Sequence, residues 1–484
     1  MASTLERLTP GMIVPFGGDQ AAIVDQALAA AFRPGDRLIV VQETGALLHV
    51  PAAVAACARA AVDQAEAAFQ ILKGIDDETI SGFFAGFAGR LADPAIWSAI
   101  AAANAADVAR ARTAGRQVGR LALRPASQAE MIAGLDAWRD MAGGRGRTVE
   151  AHDHPGWRVE IETAALGVVG FVFEGRPNVL VDACGVIRGG NAAVFRVGSD
   201  ALETARTIAD LALKPALAAA GLPAGAAVLL DAPERAAGWA LFADPRLALA
   251  VARGSGPAVT ELGAVARQSG VVASLHGTGG AWLIAEASAD PARFTAALAA
   301  SLDRKVCNTC NVCAIVGARL VDLAPLMAMT LERLGARLHL SAETRAGLPA
   351  DALEALAAGR VIVHDRADLG HEWEWEEIPE LWLAAPADLD DAIALFNARS
   401  PRFIASLIAE DQAAQARFHL AVEAAFVGDG FTRWVDGQYA LGRPELGLST
   451  WSGGRLLARG GILSGDGVHS LRTRMRQSDS GLRR

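Results

Sequence analysis

The run Gly167-Val-Val-Gly-Phe-Val-Phe173 constrains the fold more than any other stretch of this sequence. Its side chains are apolar at successive positions, so both faces of the strand it forms must be covered, as in a parallel sheet flanked by helices. The loop Glu174-Gly-Arg-Pro-Asn178 follows, then a helix over 179–188 and a second strand over 191–195. Strand, helix and parallel strand make a right-handed crossover unit. The pattern repeats at once, with a helix over 201–220, a turn at 221–225 and a strand at 227–230. A further strand at 247–251 feeds Arg253-Gly-Ser-Gly256 and another helix. The expected class is α/β, a doubly wound nucleotide-binding architecture.

Ahead of this core, residues 1–55 hold an alanine-rich helical stretch at 20–32 and a short strand at 37–42, with no role assigned. From 54 to about 142, alanine, leucine and charged residues recur at three- and four-residue spacing, which predicts several packed helices. The alternation Trp157-Arg-Val-Glu-Ile-Glu162 predicts an exposed strand or hairpin arm within 147–163. A second α/β region is expected to begin with a strand at 270–274. It continues with a strand at 281–285, a helix at 291–302, a strand at 314–316 and a helix at 323–334. The expected domains are thus an extension over 1–55, a nucleotide-binding domain with its arm over 56–270, a cysteine-bearing domain over 271–425 and a C-terminal segment over 426–484. That last segment is rich in glycine and arginine, a composition suited to loops that approach a ligand closely.

A chain of 484 residues that is 52% hydrophobic and 20% charged can bury more than one core. Its net charge of -9 gives no footprint for nucleic acid. No run approaches the roughly 18–20 apolar residues needed to span a bilayer, and the N-terminus lacks a leader pattern, so a cytoplasmic protein is expected. Three of the five cysteines sit at two-residue spacing, which argues against a disulfide framework.

Those three cysteines lie in Val306-Cys-Asn-Thr-Cys-Asn-Val-Cys313, a polar step between a helix and the run Ala314-Ile-Val316. Arg304 and Lys305 just before it offer an electropositive setting in which a Cys307 thiolate would serve as nucleophile. A small buried hydrophobe is the alternative, and C-x-x-C-x-x-C also admits a metal or iron-sulfur site whose fourth ligand would have to be distant, such as Cys184. Arg253-Gly254-Ser255 between strand and helix offers amides to a pyrophosphate or is a plain turn. Arg196, at the end of its strand and followed by Gly198-Ser199, would point into a ligand crevice or lie on the surface. His276 is a base or a satisfied polar residue. The stretch Glu372-Trp-Glu-Trp-Glu-Glu377 reads as a solvated rim with one or two packed tryptophans.

Together these landmarks resemble the γ-glutamyl phosphate reductase (glutamate-5-semialdehyde dehydrogenase) family, a branch of the aldehyde dehydrogenase superfamily. The resemblance rests on Gly167–Val179 with Val181-Asp-Ala183, on Gly190-Asn-Ala-Ala-Val-Phe-Arg196 with Gly198-Ser199, and on Val306-Cys-Asn308. It continues through Thr432-Arg433, Asp436-Gly437, Leu441-Gly442, Glu445-Leu-Gly-Leu-Ser-Thr450 and Ala458-Arg-Gly460, and covers about 60–465. It implies two doubly wound α/β domains plus an oligomerisation arm, a homo-oligomer, and NADPH-dependent reduction of an acyl phosphate to an aldehyde. Carried over, Cys307 is the nucleophile, its backbone N–H and the Asn178 side chain hold the oxyanion, and Arg176, His276 and Arg433 stand at the substrate end. Arg196, Ser199, Arg253, Gly254 and Ser255 serve the cofactor, and Glu377 its nicotinamide ribose. Ser199 replaces the ribose-binding glutamate of NAD-linked relatives, which favours NADPH. His276 stands where hydrolytic relatives keep a general-base glutamate, which favours reduction. A kinase would supply the substrate.

The chain departs from the family pattern at Ala252-Arg-Gly-Ser255, at Ala281-Trp282 (usually Cys-His), at Arg433-Trp-Val435, around Gly442-Arg-Pro-Glu445, at Leu457, and at Cys310 and Cys313. The primary expectation is glutamate 5-semialdehyde formation for proline. The alternatives are a paralogue reducing another amino-acyl phosphate or an acyl thioester, and a metal-binding or scaffold protein on the same fold.

Overall fold

The computed structural model describes residues 4–116, 118–449 and 461–483; Thr450, Leu457 and Ala458-Arg-Gly460 of the sequence reading lie outside the described residues. The chain divides into two compact units. The first comprises Met1–Gly277, Arg443–Gly447 and Leu463–Arg484, and the second Thr278–Gly442 and Leu448–Ile462.

The first unit is built on five parallel strands in the order Ala273–His276, Leu247–Arg253, Val168–Phe173, Ala192–Val197, Ala227–Leu229. Every residue of Val168–Phe173 is buried, as its continuous apolar run requires. The chain winds outward from this strand to Ala192–Val197 and Ala227–Leu229, then returns to its other side with Leu247–Arg253. The topological switch point therefore lies between Val168–Phe173 and Leu247–Arg253, and ligands of doubly wound sheets bind beyond the carboxyl ends of such strands.

Helices Ala52–Leu72, Asp77–Ala92, Pro94–Thr113 and Ser127–Asp140 precede the sheet. Ala52–Leu72 buries Val54, Ala58, Ala61, Val62, Ala65, Ala68 and Leu72, a stripe at three- and four-residue spacing. Asp77–Ala92 is started by Asp76, whose carboxylate accepts the Thr79 amide at 2.7 Å. The arm is an antiparallel sheet in which Trp157–Ala165 pairs with Thr148–His154 on one side and His469–Gln477 on the other. None of the helices among the described residues is long and apolar enough to cross a membrane.

Local chemistry changed two expected elements. The stretch at 20–32 is not one helix: Gln20–Ile23 pairs antiparallel with Ile13–Phe16 around Gly17 and Gly18, both at positive φ. Helix begins only at Gln26, where the Asp25 side chain accepts the Leu28 amide at 2.7 Å. The strand expected at 270–274 is Ala273–His276 and pairs with Leu247–Arg253, so it closes the first sheet and does not open the second.

The second unit carries seven parallel strands in the order Val361–His364, Arg337–Ser341, Glu380–Ala384, Cys310–Ile315, Ala281–Ala285, Ile404–Ile408, Phe426–Gly428. Leu283, Cys313, Ile315 and Phe294 pack on one face; Trp282, Ile284, Val312 and Phe396 pack on the other. Two apolar layers around one sheet explain why Ala281–Ala285 reads as an uninterrupted apolar run.

Packing in the first unit is tight where helix Val179–Cys184 passes into the 3-10 turn Gly185–Gly189. A Cβ on Gly185 would overlap the indole ring of the fully buried Trp138. Gly185→Ala is expected to cost about 1–3 kcal/mol through overpacking, read as a lowered urea midpoint. An unchanged midpoint would show that the ring has room to move.

Candidate active site

In the second unit, Cys307 sits on a tight turn between helix Pro291–Ala300 and strand Cys310–Ile315. It is half-buried and packs on a small apolar cluster that includes Ala281, Phe403, Phe426 and Val435. Thr309 shapes the turn: its hydroxyl donates to the Arg304 carbonyl at 2.6 Å and accepts the Val306 amide at 2.9 Å. The Cys307 carbonyl accepts the Gly280 amide at 2.8 Å.

Asn308 is 4% exposed, and its polar groups are matched by one neighbouring segment. Its side-chain amide donates to the Val435 carbonyl at 2.7 Å, its side-chain oxygen accepts from Arg433, and its backbone carbonyl accepts the Thr432 hydroxyl at 2.7 Å. Arg433 Nε donates to Asp303 at 2.6 Å, and the Thr432 amide donates to the Ser301 hydroxyl at 2.9 Å. Arg433, which the resemblance puts at the substrate end, here braces both flanks of the cysteine turn.

Arg304 is exposed, but Lys305 is only 5% exposed and its Nζ lies 2.6 Å from Glu372. The other Glu372 oxygen accepts the Gly279 amide at 2.6 Å. The acidic-aromatic stretch is therefore not simply a solvated rim. Glu372 turns inward, and Trp373 stacks on the buried His339 with ring centroids 3.8 Å apart, whereas Glu377 is exposed. Glu372 carried no local signal in its acidic run, and the burial of the Lys305 side chain that calls for a carboxylate partner emerges only in the fold.

Cys310 and Cys313 are fully buried in the sheet. Burial pushes the Cys310 thiol up to about 12 and Cys313 well above its usual range, so both stay protonated core residues. Among the described residues, no group of three or more His, Cys, Asp or Glu side chains is arranged to hold a metal.

In the first unit, the carboxyl ends at the switch point carry a charged cluster. Register pairs Phe173 with Arg253 and Arg253 with His276. Glu174 lies 2.5 Å from Arg176 and 3.5 Å from Arg120, and Arg253 lies 3.6 Å from Asp182. Burial alone would push the Glu174 carboxyl up, but Arg176 and Arg120 overcome it and hold it below its usual value. Burial lowers the Arg176 guanidinium, with Arg253 and Arg120 adding to the effect. Asn178 donates to Asp182 at 3.3 Å. Arg120 was not anticipated from the sequence, and Asp182 was noted there only within the Val181–Ala183 motif without a site role, since only the fold gathers them.

His276 is neutral through the working pH range. Burial, reinforced by Arg253, Arg176 and Arg120, brings it down to about 3. Ser255 caps helix Gly256–Gln268 without a side-chain capping bond, and the Gly254 amide donates to the His276 carbonyl at 3.1 Å. Arg196 is the penultimate residue of strand Ala192–Val197 rather than at its end as expected from the sequence, buried to 9% exposure, with one guanidinium nitrogen donating to the Pro233 carbonyl at 3.1 Å and its Nε without a hydrogen-bond partner among the described residues. Burial lowers it, and the nearby Arg235 lowers it further. Ser199 is exposed beside Gly198, where a Cβ would come within 2.9 Å of the Gly175 amide nitrogen.

No family model matches the chain. Individual proteins do. A γ-glutamyl phosphate reductase of Afipia carboxidovorans is 32% identical over 371 residues, covering 75% of this chain and 82% of that protein. One from Methylobacterium sp. (strain 4-46) is 34% identical over 388 residues, covering 77% and 83%. The chain belongs to the γ-glutamyl phosphate reductase family. The fold agrees with the crystal structure of γ-glutamyl phosphate reductase from Thermotoga maritima, with a TM-score of 0.78 at 21% identity over 88% of this chain and all of that one. A propionaldehyde dehydrogenase of Rhodopseudomonas palustris, solved with bound CoA and an acylated cysteine, matches with a TM-score of 0.61 at 16% identity over 88% of this chain and 98% of that one. The α/β aldehyde dehydrogenase architecture of the γ-glutamyl phosphate reductase family is thus present in this chain.

The neutral His276 makes a testable contribution to acid stability. In the unfolded chain it takes a proton below its usual 6.5, but in the folded chain only near 3, so it destabilises the fold as pH falls through that window. His276→Asn is expected to flatten the loss of stability between pH 6.5 and 3 relative to the parent, measured by urea unfolding. Parallel curves would contradict the assignment.

Proposed function

We propose that this protein reduces γ-glutamyl phosphate to glutamate 5-semialdehyde and phosphate, with Cys307 as nucleophile. Membership of the family supports the reaction. The observation that carries the mechanism is the half-buried Cys307 on a turn whose neighbours are each held by specific hydrogen bonds.

The Cys307 thiolate attacks the acyl-phosphate carbonyl. A carbon–sulfur bond forms, the carbon–oxygen bond to phosphate breaks, and inorganic phosphate leaves with that electron pair. When bound, a nicotinamide cofactor would supply a hydride to the thioester carbon, and the aldehyde leaves as the Cys307 carbon–sulfur bond breaks. That break regenerates the thiolate. The Cys307 backbone N–H is one proposed oxyanion donor, and Asn178 keeps the second-donor role that the resemblance gives it. The resemblance alone puts His276 where hydrolytic relatives keep a general-base glutamate, and in the first unit its depressed proton affinity makes it a poor base.

The residues that would hold the cofactor fit an anionic one. Arg196 has an unpartnered, buried Nε and a like-charged neighbour in Arg235, a combination that a 2′-phosphate would relieve. The uncapped helix start at Ser255, with Arg253 and Gly254 before it, suits a pyrophosphate. We therefore favour NADPH, with Ser199 leaving room for the 2′-phosphate. Glu377 stays the proposed ribose contact and Arg176 the proposed substrate contact, both on the resemblance. A homo-oligomer joined through the arm and a kinase that supplies the acyl phosphate complete the proposal; the exposed Val149, Leu471 and Met475 of the arm support the former.

Phosphate-dependent reduction of NADP by the purified protein with glutamate 5-semialdehyde tests this reading. Activity is expected, and Cys307→Ala is expected to reduce kcat by about a thousandfold or more. Arg196→Ala is expected to lower kcat/KM with NADP by roughly 10- to 100-fold while leaving that with NAD nearly unchanged. Absence of activity in the parent would overturn the substrate, and full activity of Cys307→Ala would overturn the nucleophile.

A further inference from the structure

We propose that Glu372 and Lys305 form a charge-neutral positioning pair that fixes the turn presenting Cys307 and sets the electrostatic field at its sulfur. The inference rests on the reading of Cys307 as nucleophile.

Three segments of the second unit meet at the Glu372 carboxylate. One oxygen takes the Lys305 ammonium at 2.6 Å, two residues before Cys307. The other takes the Gly279 amide at 2.6 Å, from the loop that leads into strand Ala281–Ala285. Both side chains are largely withdrawn from water, Lys305 at 5% and Glu372 at 15% exposure, so the pairing is not a solvated surface contact.

Gly279 has to be glycine here. A Cβ would fall 2.7 Å from both the Cys307 Cα and its carbonyl oxygen, and 2.8 Å from Glu372 Oε1. The carboxylate and the cysteine backbone therefore approach the same side of Gly279. Gly280, at φ +98, continues the loop and donates its amide to the Cys307 carbonyl.

The segment bearing Glu372 is itself anchored to the strand that follows the nucleophile. Asn311, 5% exposed, donates to the His371 carbonyl at 2.8 Å and accepts the Trp373 amide at 3.0 Å. Its carboxamide thus grips the residue on either side of Glu372. The Gly280 amide thus holds the Cys307 carbonyl directly, Glu372 ties the neighbouring Gly279 to Lys305, and Asn311 fixes the segment that carries Glu372.

The charges explain why a pair is needed. A lone carboxylate here would disfavour a thiolate at Cys307, and a lone ammonium would favour it while losing the turn's anchor. Glu374 is the other carboxylate near Lys305, at 3.9 Å and 57% exposed, which leaves Glu372 as the close, desolvated partner. With both Glu372 oxygens engaged, it is a positioning residue and not a base.

The test reads sulfur reactivity and turnover separately. Iodoacetamide labelling of Cys307 is followed by peptide mass spectrometry across pH, alongside kcat and KM for the aldehyde. Glu372→Gln is expected to move half-maximal labelling to lower pH, Lys305→Met to higher pH, and the double variant back towards the parent. All three are expected to lower kcat about tenfold or more with KM within about threefold. Glu372→Asp, which keeps the charge but shortens the reach, is expected to retain the labelling profile and lose turnover. It also carries the test if the neutral variants fail to fold. Labelling shifts that are absent or run in the same direction, or turnover unchanged in Glu372→Gln, would overturn the proposal. Because labelling needs no turnover, an active Cys307→Ala would instead overturn the nucleophile and leave the field at its sulfur still measurable.

Discussion

A buried carboxamide brings two donor hydrogens and an acceptor oxygen into a place without water, and each one left unmatched costs roughly 1–3 kcal/mol. Asn308 meets that demand through one stretch of chain, 432–435, which also matches its backbone carbonyl. The turn at 304–309 is thereby tied to a segment more than a hundred residues away in sequence. Arg433 strengthens the tie because one guanidinium bonds both Asn308 and Asp303, on either side of Cys307. Much of what distinguishes this turn from an ordinary helix-to-strand connection follows from satisfying that one side chain.

The two units solve their electrostatics differently. At the switch point of the first, cations are in excess: Arg120, Arg176 and Arg253 crowd Glu174 and Asp182, and their field keeps His276 neutral. Around Cys307 in the second, the ammonium of Lys305 is met by Glu372 at hydrogen-bond distance, so the cysteine does not sit in an unbalanced basic patch. A positive cluster suits phosphate-bearing ligands, and a balanced turn suits the role proposed for Cys307, in which position matters as much as charge.

The sequence was most legible where one local rule decides the outcome. Val168–Phe173 and Ala281–Ala285 are continuous apolar runs, and each forms a fully buried strand. The class of fold and the placement of Cys307 between a helix and a strand follow from such runs. The stretch at 20–32 misled because alanine favours helix locally, whereas the Gly17-Gly18 turn ahead of it draws Gln20–Ile23 into a hairpin and the Asp25 cap starts the helix only at Gln26. Strand Ala273–His276 was attached to the wrong sheet because strand pairing is a long-range property that periodicity does not encode. Glu372 looked like one acid among several, and only the fold brings Lys305 and Gly279 to it. Cys310 and Cys313 looked chemical because of their spacing, but a strand buried on both faces made them packing residues.

The most direct test of the account is a single-turnover experiment in the reverse direction without phosphate. Purified protein is mixed with glutamate 5-semialdehyde and NADP, and the acyl-enzyme is trapped by acid for peptide mass spectrometry. The account predicts a burst of NADPH close to one equivalent per chain, with a glutamyl group on Cys307 that phosphate then discharges. A burst with Cys307 unmodified, or the acyl group found on Cys310 or Cys313, would contradict it.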